Sequence, residues 1–153
     1  MKNNKGITLI ALVVTIIVLL ILAGVSIAML TGDNGILNRA SQSSVANAIG
    51  EGKDQVGLKV AECTADYFDW KYNGVEVSGL TKGNPTANPA TQDTKLIDYI
   101  VSKFANGAMD KQNFYTIEAT SSSITVRSVK DSTKNATCTI NNNGTITPWQ
   151  NNF

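Results

Sequence analysis

Chemistry in this chain has few residue types to draw on. None of its 153 residues is a histidine, which removes the commonest general base and the commonest metal ligand. Serine and threonine are abundant, but an activated hydroxyl would need a lysine base, and no motif points to one. The acids Asp66, Asp69, Asp98, Asp110 and Glu118 are scattered and read as solvated surface. No run of oxygen ligands is dense enough for calcium, and no glycine-rich phosphate loop is present. The expectation is a protein that is not an enzyme and holds no metal or cofactor. Two cysteines remain, Cys63 and Cys138. Outside the membrane they are expected to form a disulfide, worth on the order of 4 kcal/mol in the chain-entropy treatment. Two buried free thiols are the alternative. Asn135-Ala136-Thr137 and Asn143-Gly144-Thr145 match the short, common glycosylation sequon. Tyr67, Phe68, Trp70 and Tyr72 form either local core or a binding or filament-contact patch.

The element that organises everything else stands at the start. Lys2 and Lys5 precede Gly6, and Ile7 to Leu30 carries no charge. As a helix that run reaches about 36 Å, against a hydrocarbon layer of about 30 Å. Its polar members, Thr8, Thr15 and Ser26, can bond back to the helix's own carbonyls. Ala23 and Gly24 are small enough for another helix to come close. Lys2 and Lys5 keep the leader cytoplasmic and place the remainder outside. A secretory signal peptide has a shorter apolar region, of about 7–15 residues, although Ser26-Ile27-Ala28 offers a weak cleavage site. A plain N-terminal anchor also fits the run. A third reading rests on the junction, where the basic leader ends in glycine and the apolar run begins at the next residue.

That junction, Lys5-Gly6-Ile7-Thr8-Leu9-Ile10-Ala11-Leu12, resembles the prepilin signal of type IV pilins and type II secretion pseudopilins. The resemblance covers about 30 residues closely and the rest in layout. It implies cleavage between Gly6 and Ile7 by a membrane prepilin peptidase, and N-methylation at Ile7. It implies a filament core that includes Leu9, Ile10, Ala11, Leu12 and Gly24. Where the family usually has glutamate this chain has Ala11. That glutamate is thought to pair with a neighbour's N-terminal amine, so Ala11 points to a minor or tip subunit. The implied partners are identical or homologous pilin subunits, the prepilin peptidase/methylase, a membrane assembly platform, and the membrane itself before assembly.

After the leader (1–6) and the helix (7–31), a single extracellular domain is expected over 32–153. Thr31-Gly32-Asp33-Asn34-Gly35 predicts a helix break at Gly32–Gly35, with Asp33 or Asn34 capping the next helix. From Ile36, Val45, Ile49, Gly52, Val56, Val60, Cys63 and Tyr67 recur at a period near 3.6. Phe68 to Val77 reads either as a hairpin turned at Asn73-Gly74 or as helix continuing through Trp70. A loop with Pro85 and Pro89 follows. A helix is expected over Gln92–Asn106, capped by Thr91 or Asp93 and ended by Gly107. Four strands then alternate: Phe114–Glu118, Ile124–Val129, Ala136–Ile140 and Thr145–Thr147. The expected fold is α+β, a long N-terminal membrane-spanning helix packed on a C-terminal antiparallel sheet of about four strands, which is the ladle the resemblance implies. Cys138 shares a strand face with Ile140 and would meet Cys63 there.

The net charge of +1 supplies no broad basic field, so nucleic acid is not expected as the main partner. The expected function is a structural subunit of a type IV pilus or pseudopilus, held in the cytoplasmic membrane as precursor and extracellular in the filament. An uncleaved, membrane-anchored extracellular binding domain is the alternative of another class.

Overall fold

The computed structural model describes residues 5–111 and 113–153, with residues 5–7 and 106 in main chain only. Lys2 lies outside the described residues. The chain divides into two units, one through Ser44 and one over Val45–Phe153.

Helix α1 (Lys5–Thr31) is apolar and carries no acidic residue. It stops where Gly32 N–H donates to the Ala28 carbonyl at 2.9 Å and Gly35 N–H to the Gly32 carbonyl at 2.6 Å. A Cβ on Gly32 would press on the Ala28 carbonyl, and one on Gly35 on the carbonyls of Leu30 and Gly32. Glycine lets the backbone pass itself this closely. Helix α2 (Ile36–Phe68) follows. Neither Asp33 nor Asn34 caps it. Instead Arg39 N–H reaches the Gly35 carbonyl at 3.1 Å, and the Asn38 side chain donates to the Gly32 carbonyl at 3.0 Å.

The second unit is built around one stripe of α2. Val45, Ala48, Ile49, Gly52, Val56, Val60, Cys63 and Tyr67 are all buried, one helical face at the expected spacing. Against it lies an antiparallel sheet in the order β1-β2-β3-β4. The strands are β1 (Tyr115–Thr120), β2 (Ser123–Ser128), β3 (Asn135–Thr139) and β4 (Gln150–Asn152). Register places Ile117 opposite Val126, Val126 opposite Ala136, and Ile124 opposite Cys138. All five side chains join one core with the α2 stripe and with Leu96, Tyr99 and Ile100 of α3 (Leu96–Lys103). The opposite sheet face is polar, and there the Thr125 and Thr137 hydroxyls meet at 2.9 Å.

Two expectations change, and of the two readings of Phe68–Val77 the helix continuing through Trp70 is the one formed. No hairpin forms at Asn73-Gly74; α2 runs into a wide helical turn over Asp69–Asn73, and Gly74 at φ 72° closes it by returning its N–H to the Asp69 carbonyl. Helix α3 is shorter than expected because its expected caps serve the preceding loop. Thr91 accepts from Asn84 N–H at 2.7 Å and Asp93 from Gly83 N–H at 2.8 Å. The fourth strand is Gln150–Asn152, whereas residues 145–147 contribute only a bridge between Ile146 and Ile140.

The outer edge of β1 is closed by the Lys111 main chain, which exchanges two hydrogen bonds with Tyr115 at 3.0 Å, and further along by one side chain. Asp110 accepts the Ile117 N–H at 2.6 Å, and Gly107 at φ 66° lies so close that a side chain there would strike the same carboxylate. An unpaired strand edge is a template for association. Asp110→Ala is expected to cost about 1–2 kcal/mol and to increase aggregation on heating, whereas Asp110→Asn keeps the acceptor and most of the stability. Thermal melts with light scattering check both.

Candidate membrane and assembly segment

The segment with the clearest physical demand is α1. Sixteen large apolar side chains between Leu9 and Leu30 are exposed, each by 45% or more. At about 1.5–3 kcal/mol for each buried side chain, covering them is worth on the order of 20–50 kcal/mol. They surround the helix on every side, and a helix apolar all round belongs in a bilayer or a core. By length and composition α1 is able to cross a membrane.

Three of its hydroxyls are answered within the helix. Thr15 donates to the Leu12 carbonyl at 2.8 Å, Ser26 to the Leu22 carbonyl at 2.8 Å, and Thr31 to the Ile27 carbonyl at 2.9 Å. These three hydroxyls are satisfied without water, which suits a hydrocarbon surround. Apart from the adjoining backbone of its own helix, Gly24 has no heavy atom within 4 Å of where a Cβ would stand. Ala28 follows four residues on, a spacing that sequence reading passed over. Small residues at that interval leave a shallow seam for a neighbouring helix.

Leu9, Ile10, Ala11 and Leu12 are exposed, and the Gly6–Ile7 peptide lies in the first turn of α1. The side chains of Lys5 and Ile7, and all of Lys2, fall outside what the structure describes. α1 contains no acidic residue.

The expected disulfide is not formed. Cys63 and Cys138 are free thiols, 1% and 2% exposed. Each is packed as a small apolar side chain in the shared core, the common state of a buried cysteine. Burial pushes the Cys138 thiol up to about 11 from 9.0 and raises Cys63 as well. Few thiolates form there near neutral pH, so both are poor nucleophiles. The folded state holds its protons more tightly than the unfolded state. The contribution of Cys138 to stability is therefore complete below pH 9.0 and is lost as pH rises toward about 11. Urea melts at pH 8, 9 and 11 are expected to show that loss, and a Cys138→Ala variant is expected to lose less over the same window.

No family model, curated protein or solved structure matches the chain.

Proposed function

We propose that this chain is a structural subunit of a type IV pilus or a related secretion pseudopilus. The observation that carries this reading is the junction at Gly6, where a basic leader ends and an uncharged helix, apolar on all sides, begins at the next residue. In this reading α1 first anchors the precursor in the cytoplasmic membrane with the Val45–Phe153 unit outside. The prepilin peptidase cuts after Gly6 and methylates Ile7. An assembly platform then draws the subunit out, and α1 exchanges lipid for the α1 helices of neighbouring subunits. The apolar area stays covered throughout, so the transfer avoids most of the cost of exposing it to water. The small residues Gly24 and Ala28, four apart in α1, support close helix packing.

Ala11 favours a minor or tip position within such a filament. A buried ammonium without a carboxylate is costly, and fewer neighbours at an end position make fewer demands on it.

A second reading has its own support: α1 would serve equally as a permanent anchor for an extracellular binding domain. Mass spectrometry of sheared surface material and of membranes separates the two. A methylated N-terminus at Ile7 in the sheared fraction is expected. A chain that keeps its leader and stays in membranes would replace the filament reading with the anchored one.

A further inference from the structure

The end of α2, the start of α3 and the turn at 141–144 enclose a groove of 680 Å3, inside the roughly 300–1,000 Å3 range of small-molecule sites. Its floor is apolar and includes Tyr67, Phe68 and Leu96. Phe68 is 42% exposed. Its ring is stacked at 5.9 Å on Tyr72 and meets Tyr67 edge-on at 6.0 Å, so an aromatic surface is presented in a fixed attitude.

The rim carries Lys95, Asp98 and Asn142. All three are exposed, and none of their side chains bonds to any described residue. Asn142 is set apart from its neighbours in this respect. The Asn141 amide donates to the Thr145 hydroxyl at 2.9 Å. The Asn143 side-chain oxygen Oδ1 accepts both the N–H and the hydroxyl of Thr145. Gly144, at φ 81°, lets the turn rest against Thr64 and Leu96 with no room for a side chain. The turn is thus braced on both sides of Asn142, whose own amide is left unused beside an aromatic floor.

These groups select a ligand chemistry. A sugar ring has a C–H face that covers an aromatic ring and a rim of hydroxyls that both donate and accept. A carboxylate accepts from such hydroxyls, a carboxamide does both, and an ammonium donates. A purely apolar ligand would strip water from the Asp98 carboxylate without replacing it. A nucleic-acid strand needs a groove of one positive sign, and here Asp98 lines the groove together with Lys71 and Lys95 in a chain of net charge +1.

We propose that the Val45–Phe153 unit binds a saccharide in this groove, one sugar ring lying on Phe68 with its hydroxyls held by Asp98 and Asn142. The proposal does not depend on the filament reading, since the groove is complete in a cleaved or an uncleaved subunit.

The test uses the full chain, 15N-labelled, in a zwitterionic detergent, because glycoside detergents would compete. Glucose, N-acetylglucosamine, glucuronate and short oligomers of each are titrated in turn, and amide shifts are followed. Saturable shifts confined to 67–71, 95–98 and 141–144 are expected from at least one of them, with a dissociation constant on the order of 1 mM. Asn142→Ala and Asp98→Ala are each expected to weaken that binding about tenfold. Lys53→Ala, outside the groove, is expected to leave it unchanged. The same spectra report whether each variant is folded. The proposal is overturned if no saccharide gives saturable shifts, if the shifts lie elsewhere, or if the Asp98→Ala/Asn142→Ala double variant binds as before. Shifts from oligothymidylate but from no saccharide overturn it in favour of a nucleic-acid groove.

Discussion

Gly52→Val is expected to lower the unfolding free energy of the Val45–Phe153 unit by about 3 kcal/mol or more. A Cβ at Gly52 would run into the Val126 side chain and press on the Tyr115 ring. Neither neighbour can yield cheaply. Val126 is fully buried in the middle of β2, paired with Ile117 on one side and Ala136 on the other. Tyr115 is 3% exposed. Interiors packed to crystal density transmit such an intrusion into off-rotamer side chains and shifted backbone. Gly57 supplies the contrast. It lies in the same helix, and nothing stands within 4 Å of its added Cβ. Gly57→Ala therefore gains helix propensity alone and is expected to stabilise by about 0.5–1 kcal/mol. Even Gly52→Ala is expected to destabilise, since the clash outweighs that gain. Urea melts followed by tryptophan fluorescence distinguish the three, because Trp70 is 5% exposed within the same core. Equal responses at Gly52 and Gly57 would mean that the sheet does not approach α2 at Gly52.

The α2 stripe was legible because burial on one side of a helix leaves a period of 3.6, and a run from Val45 to Tyr67 is long enough to show it. The first three strands were legible for the same reason at a period of two. β4 was not: Gln150, Asn151 and Asn152 are all exposed, so no apolar alternation marks them, and backbone pairing with Asn135–Thr137 holds them. Asn73-Gly74 left hairpin and helix equally open because the left-handed glycine that closes a hairpin also closes a helix. Thr91 and Asp93 looked like caps, but the loop at 83–84 competes for the same oxygens. Cys63 and Cys138 were placed correctly on a helix stripe and a strand face. Sharing a core, however, is a weaker condition than the bonding geometry of a disulfide. The apolar character of α1 needed no tertiary information, since it is a matter of length and missing charge. The groove beside Phe68 joins three segments distant in sequence, and no local pattern in any of them marks it.

On the filament proposal, Gly6→Phe is expected to abolish processing and to reduce the chain in sheared surface material at least about tenfold, with the uncleaved form accumulating in membranes. A residue without a Cβ allows close approach to the backbone, and the resemblance places the cut at this peptide. A bulky ring there should deny the peptidase access to the bond. An uncleaved chain also keeps Lys2 and Lys5. Moving a lysine to the centre of a bilayer costs about 2.5–3.5 kcal/mol on insertion scales, so in the proposed topology two of them would hold the leader at the membrane surface. The cleavage step and the charge penalty can be separated. Lys2→Ala/Lys5→Ala with Gly6 intact should still be cut where the chain inserts correctly, giving the same mature mass. Adding those changes to Gly6→Phe should not restore the mature mass, though it removes the charge penalty. Ala11→Glu completes the set. A carboxylate five positions into the mature helix gives a neighbour's ammonium a partner, and a rise in this subunit's share of the filament is expected if the missing carboxylate is what limits it to few positions. A Gly6→Phe chain recovered with its N-terminus at Ile7 would falsify the prepilin reading and leave α1 as a simple anchor.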